Sequence, residues 1–296
     1  MTTLNHDQLA LEVKALWESG GLRKGSFPGW PSLGKHYSIG MAQWTVITGT
    51  PGSGKSEFMD ALMVNLAKRE TWKFCIYSPE NHPVSTHIAK LLEKYLRKPF
   101  NPGPTERMDA EQVADALEWM AGKFHFIDPK EPSLAAVLDD ANVHAGWPGV
   151  KLGVVIDPWN QIEHNRLGLS ETDYISYCLS MVTQWARARE CHVWIVAHPQ
   201  KMLRGKDGKY PVPTLYDISG SAHWFNKADN GICVWRDRTL EYDDPRASEV
   251  DIHIQKIRFK HIGYEGMVTL QYNRITGEYL EREPSMVPAK WGEKHA

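Results

Sequence analysis

The octapeptide GTPGSGKS at residues 49–56 constrains the fold of this chain more than any other feature of its sequence. It fits the pattern GxxxxGK[ST], follows a short apolar run at 44–48 and leads into a helical pattern at 55–68. A strand, a glycine-rich loop and a helix in this order form a phosphate-binding loop, because the loop amides and the helix N-terminus both favour negative charge. An ordinary glycine-rich turn is the alternative. The pattern in this setting predicts a site for a nucleoside triphosphate.

The residues of this loop have separate predicted roles. Lys55 is expected to reach the β- and γ-phosphate oxygens, and the Ser56 hydroxyl is expected to bind magnesium. Asp157 ends an apolar strand at 152–157, where such an enzyme needs a carboxylate beside the magnesium ion. A plain turn at Asp157 and Pro158 is the alternative. The loop residues predicted to surround the phosphates are Gly49, Thr50, Pro51, Gly52, Ser53, Gly54, Lys55 and Ser56.

Short β-rich runs alternate with helical patterns along most of the chain, which favours an α/β fold with a doubly wound, mainly parallel sheet. The predicted strands lie near 44–48, 73–78, 123–127, 152–157 and 192–197. The predicted helices lie near 55–68, 84–97, 109–121, 132–144 and 171–190. Runs near 231–236, 250–258 and 266–272 have little helix between them, so antiparallel strands are expected to extend one edge of the sheet.

The sequence divides into three expected parts. Residues 1–40 contain a short amphipathic helix at 7–18, which packs on its own core or on a neighbour, and then a linker rich in Gly, Pro and Ser. Residues 41–280 form the main domain, and residues 281–296 form a polar tail.

Composition limits the class of protein. Hydrophobic residues make up 42% and charged residues 24%, the balance of a folded chain. The net charge of −2 indicates no basic field over the whole molecule, so any nucleic-acid binding must come from a local patch. Because no long apolar run or signal-peptide pattern occurs, we expect a cytoplasmic protein without a membrane segment. The four widely spaced cysteines are expected to be reduced.

Two further polar residues follow predicted strands. Glu80 comes after the strand at 73–78, and His198 comes after the strand at 192–197. Ligands of open α/β sheets bind at the carboxyl ends of the strands, so Glu80 is predicted to orient the attacking water and His198 to sense the γ-phosphate. The alternatives are an exposed glutamate at the start of the next helix and a histidine with a structural role.

Several segments outside the loop complete a family pattern. Residues 28–33 (PGWPSL) precede the loop, residues 78–81 (SPEN) follow the second strand, and residues 197–198 end the fifth. With the phosphate-binding loop, these segments resemble the DnaB-type ring-forming replicative helicases over about residues 25–280. The resemblance implies a RecA-like ATPase core. It also implies that Glu80 is the catalytic glutamate, His198 the phosphate sensor and Asp157 the magnesium-associated aspartate.

Residues 255–259 (QKIRF) resemble the Lys-x-Arg element that these helicases insert into the ATP site of the neighbouring subunit. The resemblance implies that Lys256 and Arg258 act in trans, with the Arg258 guanidinium stabilising charge on the transferred phosphoryl group. Alternate cations on a solvated edge strand are the other interpretation. At 217–222 (DISGSA) the family has an arginine where this chain has Ser219, so the role of that arginine is not carried over.

Further candidates would contact the nucleobase and DNA. By the same resemblance, Arg236 and Tyr272 flank the base, and Asn226 with Lys227 are secondary DNA contacts. A glycine-containing basic loop follows His198 (HPQKMLRGKDGKYP), and its start beside the phosphate sensor would let the nucleotide state move its cations along a DNA backbone. A solvated loop that aids solubility is the alternative. The predicted DNA contacts of this loop are Lys201, Arg204, Lys206 and Lys209.

These expectations together describe an ATP- and Mg²⁺-dependent DNA helicase that forms a ring, translocates on single-stranded DNA and unwinds duplex during replication. The resemblance implies that the ring is a hexamer. A separate primase or loader would act with it, and a bacterial or phage-infected host cytosol would suit a bare motor domain. One alternative is a recombination or annealing factor that binds single-stranded DNA under ATP control without unwinding. A second is a small-molecule kinase with the basic loop as its lid.

Overall fold

The computed structural model describes residues 5–282 except 147, 167, 207 and 221, so most of the predicted polar tail lies outside the described residues. Nine strands in the described part form one sheet in the order β3-β2-β4-β5-β1-β6-β7-β8-β9. The strands are β1 Gln43–Thr48, β2 Trp72–Tyr77, β3 Phe124–Phe126, β4 Lys151–Ile156, β5 His192–Val196, β6 Asn230–Trp235, β7 Glu249–Ile257, β8 Gly266–Tyr272 and β9 Tyr279–Glu281. The six strands from β3 to β6 pair in parallel and the last three pair antiparallel, which confirms the predicted sheet.

Helices cover both faces of the sheet, as expected for parallel strands joined by crossovers. They are α1 His6–Glu18, α2 Pro31–His36, α3 Lys55–Arg69, α4 Val84–Leu96, α5 Ala110–Met120, α6 Leu134–Asn142, α7 Glu171–Ala188 and α8 His223–Lys227. Local signals account for several starts: Asp109 and Gln112 form a capping box at α5, and the Ser170 side chain caps α7.

The sheet separates two hydrophobic clusters, and β1 contributes to both because successive side chains of a strand point to opposite faces. Ile47 belongs to the cluster that contains Phe58 and Leu62 of α3. Val46 belongs to the cluster that contains Leu179 of α7 and Trp224 of α8. Burial of each large apolar side chain contributes about 1.5–3 kcal/mol, so these two clusters hold the strands in register.

The segment expected to be a linker is part of the core instead. Trp30, Leu33, Tyr37 and Ile39 are all buried in the cluster around α3. The Trp30 indole donates a hydrogen bond of 2.6 Å to the carbonyl oxygen of Tyr279 on β9. Trp30 of this segment thus contacts β9, which lies far along the chain, and local composition does not reveal such a contact.

Helix α1 has the predicted position but no buried side chain among its residues. Leu11, Val13 and Trp17 are 69%, 64% and 79% exposed. The expectation that this helix packs on its own core is therefore wrong for the single chain. The structure contains no described helix that is long and apolar enough to cross a membrane.

The parallel strands end at one side of the sheet, which we call the carboxyl edge, and begin at the opposite amino edge. Strand β8 runs in the same direction, because it is antiparallel to β7 and β7 is antiparallel to β6. The predicted site residues that follow or end these strands therefore share the carboxyl edge: the 49–56 loop, Glu80, Asp157, His198, Arg236 and Tyr272.

Candidate functional site

The loop between β1 and α3 depends on glycine at two positions in particular. Gly49 has a φ of +150°, and a Cβ atom there would lie 2.1 Å from the carbonyl oxygen of Val234 on β6. Gly54 caps the N-terminus of α3 with a φ of +98°. Side chains are disfavoured in both conformations, and the first position has no room for one. The glycines of the motif therefore allow the loop to turn tightly against the neighbouring strand.

Lys55 lies buried within this loop. Its Nζ donates hydrogen bonds to the carbonyl oxygens of Gly49 at 3.0 Å and Thr50 at 3.2 Å. Burial lowers the pKa of Lys55, and nearby carboxylates oppose that shift. The hydroxyls of Thr48 and Ser53 are buried without a hydrogen-bond partner in the described part of the chain. Buried donors of this kind need an acceptor, and phosphate oxygens supply one, so the loop fits a phosphate ligand.

Asp157 and Ser56 meet beside the loop. The Asp157 backbone N–H donates to the Tyr77 carbonyl oxygen at 2.9 Å, which fixes the residue at the end of β4. Its side chain accepts a hydrogen bond from Ser56 and is 6% exposed. Burial raises the pKa of Asp157 to about 6, and the Ser56 hydrogen bond and the charge of Lys55 oppose the rise. The predicted pair is therefore brought into contact at the carboxyl edge.

This pair has the chemistry that a magnesium site requires. A hydroxyl and a carboxylate are hard oxygen donors, and Mg²⁺ commonly uses one or two protein oxygens while water and substrate phosphates complete its shell. Among the residues with described positions, no group of three or more His, Cys, Asp or Glu side chains could hold a metal by itself. Ser56 and Asp157 fit an ion that binds together with a nucleotide.

Glu80 follows β2 on an exposed turn. Its Oε1 is 3.5 Å from Nε2 of Gln161, a distance too long for a strong hydrogen bond. The Glu80 charge makes a small contribution that raises the pKa of Lys55, Asp157 and His198. Glu80 therefore lies within electrostatic range of the groups beside the loop.

His198 follows β5 by two residues and is half-buried. Its Nδ1 is buried without a partner among the described residues. Burial lowers the pKa of His198, and the charge of Lys55 lowers it further, while Glu80 opposes the shift. A neutral imidazole at this place can donate one hydrogen bond to a phosphate oxygen without a permanent charge.

The structure places Arg236 and Tyr272 on the side of the loop towards β6 and β8. The Arg236 Nε is buried without a partner among the described residues, and the Tyr272 hydroxyl lies 3.5 Å from Oε2 of Glu57 on α3. Neither residue contacts the other through a described hydrogen bond or ring contact. Both lie near the phosphate-binding loop, but their predicted contact with a base stays a prediction.

Two residues that contact the loop were missed. Arg238 donates from Nη1 to the Pro51 carbonyl oxygen at 2.7 Å, and the Tyr279 hydroxyl donates to the Gly54 carbonyl oxygen at 3.0 Å. Arg238 stands two residues after the predicted Arg236, so its position was a usable signal. Tyr279 had no such signal, because its contact depends on the pairing of β9 with β8.

Along 282 residues the chain is 39% identical to the Twinkle homolog protein, chloroplastic/mitochondrial, of Arabidopsis thaliana, and the match covers 91% of this chain. This match agrees with the expected similarity to the DnaB-type helicase family. The chain spans 38% of the length of that relative. No protein-family model matches the chain.

Solved structures of DnaB-type proteins share the fold. The ATPase domain of G40P matches with a TM-score of 0.78 at 19% identity, over 95% of this chain and 100% of that domain. A DnaB-like replicative helicase that interacts with primase matches with a TM-score of 0.75 at 19% identity, over 95% of this chain and 68% of its own. These matches confirm the predicted RecA-like fold.

Arg258 lies at the amino edge of the sheet, away from the phosphate-binding loop of its own chain. Its Nε is 2.9 Å from Oδ1 of Asp229, and its Nη2 donates to the carbonyl oxygens of residues 226–228 at 3.1–3.3 Å. Asp229 is hydrogen bonded to Trp44 at the start of β1. The six residues of β1 span about 20 Å at the usual rise per residue, so Arg258 does not reach the loop of its own chain.

Lys256 lies beside Arg258 and contacts α8. Its Nζ donates to the carbonyl oxygens of Phe225 and Asn226 and lies 4.9 Å from the centre of the Phe225 ring. Burial and the charge of Arg258 together lower the pKa of Lys256 to about 8, although Asp229 opposes the shift. The two cations of the predicted Lys-x-Arg element therefore lie together, at the C-terminal end of α8, where positive charge is favoured.

The basic loop after His198 presents three exposed cations and one paired cation. Lys201, Arg204 and Lys206 are exposed, and the Arg204 guanidinium lies over the Tyr210 ring at 4.9 Å. Lys209 forms an ion pair of 2.6 Å with Asp237, the residue directly after Arg236. The loop is therefore attached to the segment that also contacts the phosphate-binding loop.

The secondary DNA candidates differ in their surroundings. Asn226 is exposed at the end of α8. Lys227 is half-buried, and its Nζ donates to the Ser176 carbonyl oxygen and to the Ser180 hydroxyl, each at 2.6 Å. Burial lowers the pKa of Lys227. The Lys227 ammonium therefore joins α8 to α7 by hydrogen bonds, so Lys227 has a structural role that does not require a DNA contact.

Proposed function

We propose that this chain is the ATP-hydrolysing motor domain of a ring-forming replicative DNA helicase. The observation that carries the proposal is the division of the charged groups between two opposite edges of one sheet. The phosphate-binding loop, Glu80, Asp157 and His198 share the carboxyl edge, whereas Arg258 lies about 20 Å away at the amino edge. A site divided in this way is completed when the amino edge of one chain meets the carboxyl edge of the next.

The chemistry of the proposed site follows from the residues at the carboxyl edge. Lys55 holds the phosphates in the loop, and Ser56 with Asp157 would hold Mg²⁺, which neutralises phosphate charge when bound. Glu80 orients the attacking water, because its carboxylate is exposed and not engaged in a strong hydrogen bond. His198 donates to the γ-phosphate as a neutral group.

Assembly into a ring supplies the missing charge. The Arg258 guanidinium of a neighbour would stabilise the negative charge that develops on the transferred phosphoryl group, which makes hydrolysis depend on assembly. Helix α1 supports the same arrangement, because Leu9, Val13 and Trp17 lie on one exposed apolar face that a second copy of the chain could cover. A hexamer is the ring that the DnaB-type family implies.

DNA binding is proposed for the basic loop. Lys201, Arg204 and Lys206 are exposed and can contact phosphates of a single strand, which is the sequence-independent contact that a translocating motor needs. His198 stands directly before this loop, so a change at the γ-phosphate can shift the cations. A separate primase or loader would act with the motor.

The proposal is tested by ATP hydrolysis as a function of chain concentration, with and without single-stranded DNA. We expect the rate per chain to rise with concentration and DNA, mass measurement with an ATP analogue to detect rings, and a forked duplex to be unwound. DNA-stimulated hydrolysis without unwinding would favour the ATP-switched binding factor instead. Hydrolysis at full rate by a single chain would contradict the proposal.

A further inference from the structure

A lysine outside the predicted site connects two of its parts. Lys90 lies on α4, and its Nζ is 2.7 Å from Oε1 of Glu57 and donates to Oδ1 of Asn81 at 3.1 Å. Glu57 follows the metal-side Ser56 directly, and Asn81 follows Glu80. One ammonium group therefore joins the first turn of α3 to the turn that presents the Glu80 carboxylate.

Asn81 holds the turn that contains Glu80 in place. The Asn81 backbone N–H donates to the Ser78 carbonyl oxygen at 3.1 Å, and Nδ2 of the Asn81 side chain donates to the Ser78 hydroxyl at 2.9 Å. The side-chain oxygen of Asn81 is used for Lys90. Since Glu80 is exposed and, within the described part of the chain, its side chain makes a single long contact with Gln161, its position depends on how the turn is held.

The other end of the connection is fixed. Oε2 of Glu57 is 2.6 Å from Nζ of Lys94, whose side chain is 2% exposed, so Glu57 cannot move without disrupting a buried ion pair. Burial alone would raise the pKa of Glu57, but Lys94 and Lys90 outweigh it and hold this pKa below its usual range. A partly buried ion pair of this kind is held more firmly than a surface pair.

We propose that Lys90 is a positioning residue, which holds Glu80 at a set distance from the Ser56 end of α3 by bridging Asn81 and Glu57. This inference rests on the proposed role of Glu80 in orienting water. Lys90 has no described contact with the phosphate-binding loop, so it affects the hydrolysis step more than nucleotide binding. A displacement of about 1 Å of a group that orients a reactant can slow a reaction about a hundredfold.

The first test is Lys90→Met, which keeps most of the side-chain stem and removes the charge. The kcat for DNA-stimulated hydrolysis should fall about tenfold to a hundredfold, because the Glu80 turn loses its anchor. The Kd for ATP, measured by calorimetry, should change by less than about threefold, because the loop is untouched. Lys90→Arg keeps the charge and the donors, so it should recover most of the parental kcat.

Lys98→Met is the matched control. Lys98 follows α4 and pairs with Glu106, and it has no described contact with Glu57 or Asn81, so the kcat of this variant should stay within about threefold of the parental value. Asn81→Ala removes the opposite end of the contact from an exposed turn. It should reproduce the kcat loss with unchanged ATP affinity, which keeps the proposal testable even if Lys90→Met fails to fold.

A double-mutant cycle decides whether Lys90 acts through Asn81. If it does, the chain with both Lys90→Met and Asn81→Ala should be no slower than the slower single variant. Multiplicative losses, or a K90M kcat within about twofold of the parental value, would overturn the proposal. Glu80→Gln separates the two levels: hydrolysis at the parental rate by that chain contradicts the proposed function, whereas a slow E80Q beside a fast K90M contradicts the role of Lys90 alone.

Discussion

At the scale of single residues, His192 shows how burial sets the charge of a group. It has no exposed surface at the start of β5, and its two ring nitrogens are both hydrogen bonded. Nδ1 lies 2.6 Å from the Gly40 carbonyl oxygen, so it carries the proton, and Nε2 lies 2.8 Å from the Thr45 hydroxyl and accepts from it. Burial lowers the pKa of His192 to about 4, and the Gly40 contact opposes the shift.

This shift predicts a loss of stability in acid. The unfolded chain exposes a histidine with a pKa of about 6.5, so the stabilisation is complete above that pH and is lost as the pH falls towards about 4. The full effect is on the order of 3 kcal/mol. Urea unfolding of the parental chain and of His192→Gln between pH 7 and pH 4.5 should give a shallower loss for the variant. Equal losses in the two chains would contradict this account.

The sequence predicted those site residues that directly follow a recognisable strand. The phosphate-binding loop and Asp157 stand directly after apolar strands, so the pattern indicated both the residue and its place at the carboxyl edge. Arg238 and Tyr279 contact the same loop from sequence distances of 187 and 225 residues. Contacts across that distance depend on which strands pair, and no local pattern records that choice.

At the scale of elements, long periodic segments were predicted well, whereas some short ones were missed. Helices such as α7 and strands such as β1 were predicted because their periodicity and caps agree with their burial. Helix α2, with six residues, and strand β9, with three, are held by contacts to distant parts of the chain. The residues before β1 look like a linker in the sequence for the same reason, since the Trp30 indole is hydrogen bonded to Tyr279 on the distant strand β9.

The basic loop gives a prediction at this scale. Substituting Lys201, Arg204 and Lys206 by glutamine should weaken single-stranded DNA binding, because three exposed cations are removed. The slope of log affinity against log salt concentration should become shallower by up to about two. Fluorescence anisotropy at several salt concentrations measures both effects.

Lys227→Gln is the control for the basic loop. The Lys227 ammonium is bound to Ser176 and Ser180. This change should therefore lower the free energy of unfolding by about 1 kcal/mol while the salt slope stays the same. A lower salt slope for Lys227→Gln, or an unchanged slope for the triple variant, would show that the DNA contacts lie elsewhere.

At the scale of the whole molecule, the distance between the two edges of the sheet determines what one chain can do alone. The carboxyl edge holds the phosphate-binding loop, and the amino edge holds Arg258 against Asp229 and the end of α8. A chain cannot bring these edges together without breaking its own sheet. The proposed function therefore requires a neighbouring chain. Each chain then uses its carboxyl edge as an ATP site and supplies Arg258 from its amino edge to the next chain.

Subunit mixing tests this requirement directly. A Glu80→Gln chain retains Arg258 but lacks the water-orienting carboxylate, and an Arg258→Gln chain has the opposite defect and keeps a donor for the carbonyl oxygens near α8. Each chain alone should hydrolyse ATP near background on single-stranded DNA. An equimolar mixture should recover a clear rate, because about a quarter of the interfaces in mixed rings combine an intact site with an intact arginine. If the mixture stays at the sum of its parts, or if Arg258→Gln alone retains the parental rate, completion of the site in trans is contradicted.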